Sequence, residues 1–97
     1  MKSELIENRI IVWNIEDSKK LFSEGYYGKP IGMPKPKIEE IDVPLILDLI
    51  EGYYLLEMKK ITITKLKQKI KTNEMIEICK KEVHDFEKKY IVYKNFR

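Results

Sequence analysis

Apolar residues crowd the segment 48–60, DLIEGYYLLEMKK, where Leu49, Ile50, Tyr53, Tyr54, Leu55, Leu56 and Met58 would occupy most of the circumference of a helix. A helix apolar on so many sides needs cover from the elements before and after it, at roughly 1.5 to 3 kcal/mol for each large side chain buried. Asp48 marks its start as an N-cap. Glu51, three positions on, can reach back to the free backbone N–H, the acidic form of a capping box. Gly52 costs about 1 kcal/mol against Ala in mid-helix, which predicts close approach by another backbone.

Around this centre the periodicities change. In 5–13, LIENRIIVW, apolar groups flank Glu7 and Asn8, the pattern of two strands joined by a tight turn. Asp17 and Ser18 offer an N-cap for the helix SKKLFSE, with Leu21 and Phe22 inward and Gly25 placed to end it in the left-handed conformation. The stretch GYYGKPIGMPKPK (25–37) is too rich in Gly and Pro for a helix or a central strand, and it reads as a shaped connection anchored by Tyr26 and Tyr27. Residues 38–43 read as an acidic loop, and Pro44 opens a short apolar strand, 45–47, that feeds the central helix. Beyond it, Ile61 to Ile63 alternates as a strand, after which Thr64 caps a short helix with Leu66 and Ile70 inward. From Asn73 to Arg97, Ile76, Cys79, Val83, Phe86, Tyr90 and Tyr93 step by three and four, predicting one long amphipathic helix. Its last turns widen through Ile91, Val92 and Phe96, so something further should cover them. The sum is a small α+β domain of three to four helices against a short, mainly antiparallel sheet.

Ninety-seven residues fit one domain, and 43% hydrophobic with 10% aromatic content supports a packed core despite 36% charged residues. Cys79 stands alone, so no internal disulfide forms and a reducing, cytoplasmic setting is expected. No apolar run approaches the roughly 18 residues of a membrane span, and the N-terminus lacks a signal-peptide core. Abundant Lys, Glu and Ile with a single Gln point to a thermophile.

Candidate chemistry is sparse. His84 is the sole histidine and reads as a surface residue on the shoulder of the last helix, so no metal site, no cofactor and no catalytic residue is assigned. The glycines of 25–32 lack phosphate-loop spacing. One feature rises above this background. Lys59, Lys60, Lys65, Lys67, Lys69 and Lys71 occur with no acidic residue between Glu57 and Glu74. Such a patch can neutralise RNA phosphates, although a solvated surface would look the same and no arginine or exposed aromatic interleaves it.

Three stretches in order, LFSEGYYGKPIG, LDLIEGYYLLEMKKI and KKYIVYKNFR, resemble the N-terminal portion of archaeal tRNA-splicing (tRNA-intron) endonucleases. Leu47, Asp48, Leu49, Ile50, Glu51, Tyr54 and Leu55 stand where that family carries its L-S-L-I-E-x-x-Y-L helix, with Asp48 in place of Ser, one N-cap for another. The stretches Lys29-Pro30-Ile31-Gly32 and Pro34-Lys35-Pro36-Lys37 look most like the catalytic-type subunit of the hetero-oligomeric enzymes. In this family the catalytic tyrosine, histidine and lysine belong to a C-terminal domain that follows a Y-x-V-Y-x-x-L-R segment. Tyr90, Val92, Tyr93 and Arg97 match that segment, with Phe96 replacing its Leu. The resemblance therefore implies a non-catalytic N-terminal domain, residues 1–89, with 90–97 leading toward an absent catalytic domain. It implies precursor tRNA and other endonuclease subunits, in an oligomer, as partners. The parent enzyme would cleave at intron boundaries to 2′,3′-cyclic phosphate and 5′-hydroxyl ends. An assembly module without RNA contact and a free-standing basic RNA-binding protein are the alternatives.

Overall fold

In the computed structural model, which describes residues 1–33 and 37–96, one row of side chains crosses an entire sheet. Pro30, Leu45, Val12, Ser3, Ile63 and Ile70 are all buried and lie on one face of successive strands. The strands are β1 (Lys2–Ile6), β2 (Arg9–Val12), β3 (Lys29–Pro30), β4 (Leu45–Leu47), β5 (Thr62–Lys65) and β6 (Gln68–Ile70), in the order β3-β4-β2-β1-β5-β6. The β1–β5 pair is parallel and the others are antiparallel. Four helices accompany them among the described residues: α1 (Ile15–Gly25), α2 (Leu49–Glu57), α3 (Thr72–Glu82) and α4 (Phe86–Asn95). The class is α+β, with a mixed, mostly antiparallel sheet.

The central helix is α2, with Asp48 as its cap. Asp48 Oδ1 accepts from the Glu51 N–H at 2.8 Å while Glu51 Oε1 accepts from the Asp48 N–H at 3.2 Å, so both halves of the capping box form. Glu51 does more than cap, because its Oε2 accepts from the Gly28 N–H at 2.8 Å and ties the start of β3 to α2. One side of α2 meets β2 and β4, while α3 and α4 pack elsewhere on it. Every residue from Gly52 to Leu56 is therefore buried. Gly52 admits a side chain rather than the backbone expected there: a Cβ would collide with Ile10 Cδ1 of β2.

The first hairpin has its turn at Glu7-Asn8, both at positive φ (46° and 65°), the type I′ pattern that suits twisted strands. Helix α1 starts before the expected Asp17-Ser18. Its cap is Asn14, whose Oδ1 accepts from the Asp17 N–H at 3.0 Å, and Ser18 lies inside, bonded to the Val43 carbonyl at 2.9 Å. The left-handed residue that ends it is Tyr26 (φ 55°), not Gly25. Gly25 instead leaves room for the Tyr27 ring, which would lie 2.8 Å from an added Cβ. Residues 38–40 form a single 3₁₀ turn. The Pro34-Lys35-Pro36 part of the resemblance, and Arg97, lie outside the described residues.

Two further expectations are overturned. The helix expected from Thr64 is a second hairpin, β5–β6, turned at Leu66-Lys67 with φ of 52° and 67°. Ile63 pairs with Ile70 inward and Leu66 is 84% exposed at the tip, so period two wins over the i,i+4 spacing of Leu66 and Ile70. The single long helix is instead α3 and α4, separated at 83–85, where Val83 is extended and Asp85 is left-handed (φ 53°). A straight helix over 73–97 would run roughly 37 Å, whereas α2, the surface it must cover, has nine residues. The break lets both halves lie on α2. Cys79, Phe86 and Tyr90 are buried as expected, Ile76, Val83 and Tyr93 partly so, and Met75 is fully buried although the pattern had not selected it.

Candidate nucleic-acid interface

Alternation along a strand decides where the lysines point. Lys65 and Gln68 pair near the tip of the β5–β6 hairpin on the same side as Ile63 and Ile70, and Lys69 pairs with Thr64 on the opposite side. Lys67 occupies the turn, and Lys71 precedes α3, its N–H donating to Glu74 Oε1 at 3.3 Å. The four lysines thus run along a hairpin, Lys65 and Lys67 at its tip, Lys69 on a strand and Lys71 at its base, rather than covering one helical face. All are exposed. Lys59 (φ 61°) and Lys60 sit in the turn between α2 and β5, and Lys60 pairs with Glu24 at 3.6 Å. Among the described residues the other five of these lysines form no ion pair. A shallow cavity of about 380 Å³ opens beside the tip, between β6 and α3, lined in part by Lys65, Leu66 and Lys69.

His84 lies in the α3–α4 connection and not on a helix shoulder. Its side chain is 91% exposed, and Nε2 lies 3.3 Å from Asp85 Oδ2. Asp85, 56% exposed, is the one acid that pairs with this open imidazole among the described residues.

The groups with perturbed acidity belong to the packing of α3 and α4 on α2. Glu57 accepts from Lys94 Nζ at 2.9 Å and from the Tyr90 hydroxyl at 3.0 Å. The Lys94 hydrogen bond holds the Glu57 carboxyl below its usual value against the opposing effect of burial, with Tyr90 assisting. Burial, then the hydrogen bond to Glu57, pushes the Tyr90 hydroxyl well up. Burial likewise pushes the Cys79 thiol up to about 12, and its S–H faces the Leu49 carbonyl at 3.7 Å. These shifts arise from burial and from hydrogen bonds where α3 and α4 pack on α2.

Over residues 1–76 the chain matches the family described as tRNA intron endonuclease, N-terminal domain. The chain belongs to that family. It is 40% identical to a tRNA-splicing endonuclease of Sulfurisphaera tokodaii, 34% to one of Sulfolobus acidocaldarius and 35% to one of Pyrobaculum islandicum, each comparison covering 100% of this chain. The chain spans about half the length of these relatives, 54%, 54% and 55%. Two of the stretches that carry the resemblance to tRNA-intron endonucleases meet in space. Tyr53 of the central helix packs edge-to-face on Tyr90 with centroids 4.9 Å apart, and Tyr54 on Tyr93 at 5.5 Å. Sequence reasoning missed the outer face of the sheet, where Trp13 is 52% exposed. The alternation of 9–13 carried the signal, since Trp13 follows inward-facing Ile10 and Val12 by odd steps.

Proposed function

We propose that this chain acts as the non-catalytic N-terminal domain of a tRNA-intron endonuclease and contributes contacts to the backbone of precursor tRNA. The observation that carries this is the exposed lysine cluster at the β5–β6 hairpin on a chain of this family. Separate ammonium groups along an exposed hairpin suit phosphate neutralisation without base reading. Residues 1–89 would form the domain and 90–97 would lead toward a catalytic domain supplying the tyrosine, histidine and lysine, a junction that falls within α4. Cleavage at intron boundaries would belong to that second domain, working without metal in an oligomer.

A second reading, assembly with another endonuclease subunit without RNA contact, is favoured by Ile91, Val92 and Phe96 on α4 and just after it, which are 59%, 57% and 86% exposed.

The test is incubation of the purified chain with an intron-bearing precursor tRNA in the presence of a chelator. The precursor should stay intact. Cleavage to cyclic phosphate and 5′-hydroxyl ends that His84→Ala abolishes would overturn the proposal.

A further inference from the structure

The sheet has a second face that the core does not use. Strand pairing puts Lys29, Ile46, Ile11, Glu4, Thr64 and Lys69 in one row across all six strands, and each is half-buried or exposed. At about 4.8 Å per strand the row measures roughly 24 Å and carries a lysine at either end. Next to its centre lies Trp13, whose Nε1–H donates to Glu4 Oε1 at 3.0 Å. That bond holds the indole on this face, and the residue is still 52% exposed. Lys2 and Arg9, exposed and on the same side by alternation, add to the positive charge, against Glu4 as the acid of the row.

From this arrangement we infer that the open sheet face binds a single-stranded segment of RNA, with Trp13 as a stacking platform and the edge lysines on flanking phosphates. Charge decides the class of occupant, since Lys2, Arg9, Lys29 and Lys69 outnumber Glu4 and Asp48, the latter at the edge beside Arg9 and Lys29. A flat apolar strip of Ile11, Ile46 and an oriented indole between cations accommodates π-faces and phosphates together. This inference rests on the RNA-contact reading above and adds a second surface, distinct from the hairpin lysines except for Lys69.

Trp13 is the chain's single tryptophan, so its fluorescence reports this face alone. A short oligouridylate of about eight nucleotides, within the roughly 4 to 16 that single-strand sites occupy, should quench it, and a duplex of equal length should quench it far less. Trp13→Ala should weaken oligouridylate binding roughly 5- to 150-fold, the worth of one stacked base. Glu4→Gln keeps an acceptor for the indole and removes the opposing charge, so it should tighten binding several-fold. Absent quenching, unchanged affinity in Trp13→Ala, weaker binding by Glu4→Gln, or self-association that buries Trp13 would overturn the inference. Replacing Lys65, Lys67 and Lys71 with Gln separates the two surfaces. If the inference holds and the hairpin reading fails, Trp13 quenching persists while those changes leave tRNA binding unaltered.

Discussion

The hydroxyl of Tyr90 donates a 3.0 Å hydrogen bond to Oε1 of Glu57, the oxygen that also accepts from Lys94 Nζ. Through this one oxygen the last residue of α2 holds two successive turns of α4, beneath the stacked rings of Phe86 and Tyr90 at 5.5 Å. Two of the sequence stretches that carry the resemblance are thus a single packed unit.

That junction makes stability depend on pH at both ends of the scale. Glu57 has its folded pKa lowered from an ordinary 4.5, so its contribution is present above about 4.5 and is lost as pH falls through the folded value. Tyr90 has its folded pKa raised from an ordinary 10.0, so its contribution is full below about 10 and is lost as pH rises through the folded value. Denaturation midpoints measured against pH should show Glu57→Gln flattening the acid limb and Tyr90→Phe the alkaline one. Parallel curves for wild type and variants would place the pH dependence elsewhere.

Gly52 and Ile10 should be coupled. Gly52→Ala gains helix propensity of about 1 kcal/mol, yet its methyl would meet Ile10 Cδ1 head-on, and overpacking of this kind costs about 1 to 3 kcal/mol. Ile10→Val removes that methyl and alone should cost roughly 0.5 to 1.5 kcal/mol. The double variant should be more stable than the sum of the singles by roughly 0.5 to 3 kcal/mol, read from a denaturant double-mutant cycle. Additive values would mean that the backbone shifts to absorb the methyl.

The Leu66-Lys67 turn can be improved. Both residues hold positive φ, a conformation that costs an L side chain roughly 1 to 2 kcal/mol and that Asn-Gly adopts readily. Leu66→Asn with Lys67→Gly should raise stability by about 0.5 to 2 kcal/mol in chemical denaturation. A helix at this place would give the opposite sign, since Gly in a helix interior costs about 1 kcal/mol.

That opposition also explains what the sequence could convey. The central helix was legible because its cap, its acidic N3 residue and its apolar girth agree, and the first hairpin because Glu7-Asn8 interrupts two apolar runs. The second hairpin and the α3–α4 break were not, because they turn on left-handed Leu66, Lys67 and Asp85, with no glycine to announce them. The lysine cluster is visible as composition, but its spread over both sides of a hairpin follows from the pairing of Lys65 with Gln68 and of Thr64 with Lys69. In the sequence Trp13 is simply the end of a strand; its place on an uncovered face follows from the inward assignment of Ile10 and Val12.

The most direct test of the account is the salt dependence of tRNA binding. Each phosphate neutralised contributes a little under one unit to the slope of log affinity against log salt. Changing Lys65, Lys67, Lys69 and Lys71 together to Gln, with circular dichroism unchanged, should flatten the slope by about two to three units. Indistinguishable slopes for wild type and the quadruple variant would contradict the account and favour assembly without RNA contact.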